Sequence, residues 1–280
     1  MRRILVLLLL AVAASGAGVA RARLADIDAA VRGAKELLYL PNGKHLKAMS
    51  LGHAPLVADF VYLWAIQYYS DYGRKDRYRY VEHVFGDVIA ELDPRYIDPY
   101  WLGAIILTTE AKDVDAGLRL LDLGFQKNPS AWILPYLAGW ECDRVGRFDR
   151  AAAYFDLAAK APGAPPALFR LKAGMTARTG NLREAIARWR DVLDDPRNDD
   201  GARAIATRQI RTLTVRADVQ DLDAAIAAYR ERKGRLPRRL DELVRVGIVR
   251  ALPQDPDGEA YAYDASTGAV SSQASRVLGS

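Results

Sequence analysis

A 34-residue self-similarity runs through the middle of this chain, and it limits the possible folds more than any other feature. Frames beginning at Asp98, Trp132 and Pro166 align without insertion. Their eighth positions are Ile105, Gly139 and Ala173, their twentieth Gly117, Ala151 and Ala185, and their twenty-fourth Leu121, Phe155 and Trp189. Small residues at positions eight and twenty let two antiparallel helices approach closely, while a large apolar residue at twenty-four fills the wedge between neighbouring pairs. The fifteenth position, where the first helix must stop, reads Lys112, Gly146 and Gly180. Glycine ends a helix there because it tolerates a left-handed backbone. Arg147-Phe148-Asp149 and Asn181-Leu182-Arg183 then lead into the second helices.

In repeat length and in its small and large positions this pattern resembles the tetratricopeptide repeat (TPR), over Asp98 to Arg197. Gly139, Gly146, Ala151, Phe155 and Ala158 make the second frame the best match. The first frame departs from it, with Lys112 in place of glycine and with Gly117 and Gly124 inside its second helix. A diverged earlier pair is expected from Pro55 to Tyr72 and from Arg77 to Leu92, with Val81, Phe85 and Val88 in its core. The expected fold is mostly α: a TPR-type α-solenoid of about four helix pairs, followed by a small α+β C-terminal segment with a β-hairpin. The resemblance implies a binding scaffold, with groove-lining candidates on the first helices of the pairs: Tyr136, Trp140, Arg144, Arg170 and Met175.

The beginning of the sequence carries an address. Met1-Arg2-Arg3 precedes an uncharged run from Ile4 to Ala20, the layout of a positive region followed by an apolar one. The run sits at the lower end of what spans a bilayer, and small-residue cleavage sites exist at Ala11-Val12-Ala13 and Ala20-Arg21-Ala22, so signal peptide and anchor both stay open. Either one exports the rest, most simply to a bacterial periplasm at the inner membrane. The division expected is 1–22 signal peptide or membrane anchor, 23–54 N-terminal cap, 55–215 repeat array and 216–280 C-terminal domain. In the cap, Pro41-Asn42-Gly43 signals a turn. Asp59, set among Leu56, Val57, Ala58, Phe60 and Val61, is expected to pair with a Lys or Arg rather than to catalyse.

A second pattern occupies the tail. Val219, Leu222, Ile226 and Tyr229 form a helical stripe that Gly234 stops. Leu236-Pro237, a short helix around Leu240 and Leu243, and Leu252-Pro253-Gln254-Asp255-Pro256-Asp257-Gly258 follow. Tyr261-Ala262-Tyr263, Ser266-Thr267-Gly268 and Ala269-Val270-Ser271 then read as a hairpin. Over roughly Ala217 to Ser272 this order is similar to the periplasmic ends of type II secretion major pseudopilins and type IV pilin-like proteins. The matched residues are Tyr229, Gly234, Leu236, Pro237, Leu240, Leu243, Leu252, Pro253, Asp255, Pro256, Gly258, Tyr261 and Tyr263. The chain lacks a prepilin peptidase motif and places its repeats ahead of the pilin-like end, so a filament subunit is not expected. Pseudopilins bind calcium near their C-terminus; the local carboxylates here, Asp255, Asp257, Glu259 and Asp264, fit no EF-hand spacing, and a structural turn is expected.

Composition excludes much of the remaining chemistry. One cysteine, Cys142, and three scattered histidines allow no disulfide framework, no Cys-based zinc site and no redox pair. Cys142 is expected to be a small buried apolar residue. His45, His53 and His83 stand in no nucleophile motif, and there is no phosphate loop. Asp194-Asp195 and Asp199-Asp200 flank Pro196, where carboxylates cap helices. The expectation is therefore no catalytic residue, no metal and no cofactor. A formal charge of +5 is small for a nucleic-acid binder of 280 residues. Residues 203–250 hold twelve basic against six acidic side chains, a face suited to anionic lipid or an acidic partner or else to local ion pairs. Arg74 to Tyr80 mixes basic and aromatic residues and is expected to be an inter-repeat loop.

The function expected is a periplasmic protein–protein interaction scaffold of a bacterial envelope assembly, related to type IV pili or type II secretion. Its partner would be another envelope protein lending a peptide or helix to the groove, with the N-terminal segment at the inner membrane and no nucleic acid. The alternative is an accessory subunit of an envelope transporter or polysaccharide-export system.

Overall fold

The computed structural model describes Arg21, residues 40–73 and residues 77–272, so the expected signal or anchor segment lies outside the described residues, as do Arg74, Lys75 and Asp76. The fold is mostly α, with one small antiparallel β-hairpin near its C-terminal end. It falls into two compact units, Met1–Gly124 and Phe125–Ser280.

In the first unit, α1 (Gly43–Met49) and α2 (Ala54–Tyr69) pack against a π-helical segment, Glu82–Ile89, that runs on into α3 (Ala90–Leu92). Asn42 caps α1 by accepting from the Lys44 N–H at 2.9 Å. Gly43 is buried, because a Cβ there would strike the Asp87 carbonyl and Glu91. Val81, Phe85 and Val88, the expected core positions, are fully buried together with Val84 and Ile89. Tyr62 meets the Phe85 ring edge-on at 6.4 Å, and Tyr69 lies tilted against it at 5.7 Å. Arg77 is buried as well: it donates to the Tyr69 carbonyl at 2.6 Å and to the Glu110 carboxylate, and lies 4.1 Å from the Tyr72 ring. Asp59 is exposed on α2 and makes no ion pair among the described residues.

The next hairpin is α4 (Ile97–Ile105), prolonged by a second π-helical segment (Ile106–Glu110), and α5 (Val114–Lys127). In the second unit α6 (Ile133–Arg144), α7 (Phe148–Lys160), α8 (Ala167–Arg178), α9 (Leu182–Asp194) and α10 (Asp200–Lys233) each pack on the next. The repeat period is visible in the helices themselves: α5, α7 and α9 begin at Val114, Phe148 and Leu182, and α6 and α8 at Ile133 and Ala167, 34 residues apart in each case. Ala151, Ala173, Ala185 and Phe155 are buried at their repeat positions, and so is Cys142. Asn181 caps α9 by accepting from the Glu184 N–H at 3.2 Å, and its side-chain amide donates to the Glu184 carboxylate at 2.8 Å.

Helix α10 is 34 residues long, about 51 Å at 1.5 Å per residue. Asp199 caps its start through the Ala202 N–H at 2.7 Å, and Gly234 ends it with φ of 72°. Residue 215, where the repeat array was expected to end, lies within this helix. Ala206, Leu213 and Ala217 bury against α8 and α9, whereas Leu222, Ala225, Ile226 and Tyr229 enter a separate core with Leu240, Leu243 and Tyr261. That second core holds α11 (Asp241–Arg245) and the hairpin of β1 (Ala262–Tyr263) and β2 (Val270–Ser271), with Ala262 opposite Ser271 and Tyr263 opposite Val270.

Candidate docking surface

Trp132, Tyr136, Trp140 and Arg144 recur every fourth residue and so share one face of the α6 segment. Their side chains form a ladder: the Trp132 and Tyr136 rings stand 5.9 Å apart, Tyr136 and Trp140 6.2 Å, each pair edge to face. Phe155 of α7 lies beneath them, its ring 6.2 Å from Tyr136 and 5.9 Å from Trp140. Gly139 makes this possible, since a Cβ at that position would sit 2.7 Å from the Phe155 ring. The result is a ladder whose base is fixed by the core and whose far end is open: Tyr136 is half-buried, Trp140 is 41% exposed and Arg144 is exposed. Arg144 is braced by Glu141 at 2.6 Å.

Of the five groove residues expected from the sequence, Tyr136, Trp140 and Arg144 therefore lie together. Arg170 is half-buried on α8, and Met175, on the same helix, is buried and packs inward. Trp132 belongs to the ladder although it precedes the helix; the Trp-x3-Tyr-x3-Trp spacing was the signal that could have included it.

A polar cleft of about 440 Å³ opens beside α7, α8 and the start of α9, lined by Asp149, Asp156, Lys172, Thr176, Thr179 and Glu184. Asp156 is the centre of its charge. Lys160 and Lys172 reach its two oxygens at 2.7 and 2.6 Å. Partial burial alone would raise this carboxyl, but the two ammonium donors outweigh it and hold it below the ordinary aspartate range. Nothing in residue order announces this cleft, because its walls come from three helices.

The tail holds its polar groups differently. Tyr261 donates to the buried Asp218 at 2.8 Å, and Arg183 of α9 reaches the other oxygen of Asp218 at 2.7 Å. Asp255, also buried, accepts from the Asp257 and Glu259 N–H groups at 3.0 Å each and from the Ser272 hydroxyl at 2.7 Å. These donors make 255–259 the structural turn that was expected. Glu242 accepts from Tyr229, from Arg235 at 3.0 Å and from the Arg238 N–H at 3.0 Å. Led by the Tyr229 hydroxyl, they hold its carboxyl down to about 2.

No protein-family model matches this chain, and no curated protein matches it.

Proposed function

We propose that the protein is a non-enzymatic interaction scaffold, carried on the periplasmic side of a bacterial inner membrane, whose helical repeats hold a peptide or helix of another envelope protein. The observation that carries this reading is the α6 ladder. Aromatic rings and an arginine, fixed at one end and open at the other, are the residue types that dominate protein–protein hot spots. The TPR-like period supports a scaffold, since repeat arrays present extended faces rather than reaction centres. The pilin-like order of the tail supports an assembly of the type IV pilus or type II secretion kind. In that order Tyr229, Leu240, Leu243, Asp255 and Tyr261 are all buried, so these five of the matched residues help build the tail's core.

A photo-reactive side chain at Trp140, activated in intact envelopes, tests the reading. The expected adduct is with a pilus or secretion component and is absent when the same group is placed at Asp149. An adduct with permease subunits would favour the transporter alternative, and no adduct at either position would remove the case for a partner on α6.

A further inference from the structure

The first unit leaves one apolar surface uncovered. Met49 and Leu51 at the turn between α1 and α2, and Leu56, Phe60 and Leu63 along α2, are all exposed, with Leu51 at 87% and Phe60 at 65%. Leu56, Phe60 and Leu63 fall three and four residues apart, hence on one helix face. The described part of the segment expected to cap the first repeat, α1, packs on the π-helical segment and α3 as well as on α2, with Lys47 reaching the Glu91 carbonyl at 2.9 Å.

Leu51 adds an independent sign. Its φ is 50°, one of two non-glycine residues in the left-handed region among those described, and it is followed by Gly52 at 91°. A leucine held left-handed is costly, and such strain persists where something outside the local backbone repays it. Here the side chain is turned out to solvent. An apolar tip of this kind, with Lys44 and His45 exposed on the adjoining α1, has the make-up of a surface that lies at a lipid interface, although Lys47 is held by the Glu91 carboxylate at 3.4 Å and Asp59 stands within the α2 face.

We infer that Met49, Leu51, Leu56, Phe60 and Leu63 dock on the phospholipid bilayer. The inference rests on the reading of Ile4–Ala20 as a membrane segment, and chain length is what selects this occupant. Nineteen residues stand between Ala20 and Leu40, a span of at most about 70 Å, so with Ile4–Ala20 in the bilayer this face lies within reach of its surface. Insertion to the level of the headgroups, about 5–10 Å, is enough to cover side chains of this size.

The test uses the full chain reconstituted into vesicles of zwitterionic and anionic phospholipid. Single-cysteine versions, Leu51→Cys and Phe60→Cys in a Cys142→Ala background, carry an environment-sensitive fluorophore. The expected result is quenching by nitroxides on the lipid acyl chains and protection from aqueous iodide. Quenching by iodide alone overturns the inference while leaving the membrane segment intact. Protection from both quenchers also overturns it, because the face is then covered by protein: a partner, a second copy or residues 22–39. A chain that does not stay with the vesicles removes the membrane-segment reading and this inference with it.

Discussion

Lys112, Gly146 and Gly180 hold the same place in three successive helical hairpins, and all three have a left-handed backbone, with φ of 60°, 75° and 89°. In the later two a glycine makes the turn without steric cost. In the first a lysine does so, at a cost of about 1–2 kcal/mol. The surrounding geometry differs accordingly. The first helix of that hairpin runs from Ile97 to Glu110 and ends in π geometry, with the Ala111 N–H bonded to the Ile106 carbonyl at 3.0 Å, whereas α6 and α8 are twelve-residue α-helices. Position eight is the bulky Ile105 in the first hairpin, and close contact moves to Gly103, where a Cβ would lie 2.6 Å from Leu120, and to Gly117, where it would strike Thr108. Gly103 and Gly117 are thus the places where the irregular hairpin keeps its close packing.

Substitutions at matched positions sharpen or break this comparison. The largest effect belongs to the wedge residue: Phe155→Ala should lower unfolding free energy by about 3–5 kcal/mol, read from urea titration of the full chain by circular dichroism, because it empties the site under Tyr136 and Trp140. Gly139→Ala and Gly117→Ala should each cost about 1–3 kcal/mol through overpacking. Gly174→Ala, on a helix where a Cβ meets nothing within 4 Å, should instead stabilise by about 0.5–1 kcal/mol. If Gly117→Ala were neutral, the contact with Thr108 would not be what closes the first hairpin. At the turn itself, Lys112→Gly should raise stability by about 1 kcal/mol and Gly146→Ala lower it by a similar amount. Equal signs at the two sites would contradict the shared left-handed geometry.

The tail departs from the hairpins in a further way, since it closes partly on a charge. Glu242 has its carboxyl held down to about 2 by Tyr229, Arg235 and the Arg238 N–H, against about 4.3 in an unfolded chain. Its contribution is therefore complete above about pH 4.3 and disappears as pH falls toward 2. Glu242→Gln should flatten the acid limb of the stability–pH curve in that window. Phe155→Ala should shift the curve down without changing its shape.

Much of this fold could be read in the residues. The starts of α5, α7 and α9, the burial of Val81, Phe85 and Val88, and the hairpin after Tyr261 all follow from apolar spacing and turn chemistry. The π-helical segments did not, because side-chain period reports which face is buried and not which carbonyl each N–H selects. The left-handed Lys112 was hidden for the same reason, as its side chain gives no sign of backbone φ. Helix α10 is continuous across residue 215 because backbone hydrogen bonding is indifferent to a change of buried face, while the apolar stripe that restarts at Val219 suggested a new element. In the candidate surface, Tyr136, Trp140 and Arg144 were legible as every-fourth-residue neighbours on one helix. Met175, expected on the same groove, is buried, which residue type alone does not show, since methionine fits buried and open positions alike.

Affinity for the crosslinked envelope partner, compared between the natural chain and Trp140→Ala, weighs the proposed scaffold role most directly. A partner gripping the α6 ladder should bind the variant at least tenfold more weakly, with far-ultraviolet circular dichroism unchanged and the unfolding midpoint lowered but still well above the assay temperature, as expected on removing a partly exposed aromatic anchor. Unaltered affinity, with the ladder gone and the fold intact, would place the partner elsewhere and contradict the account.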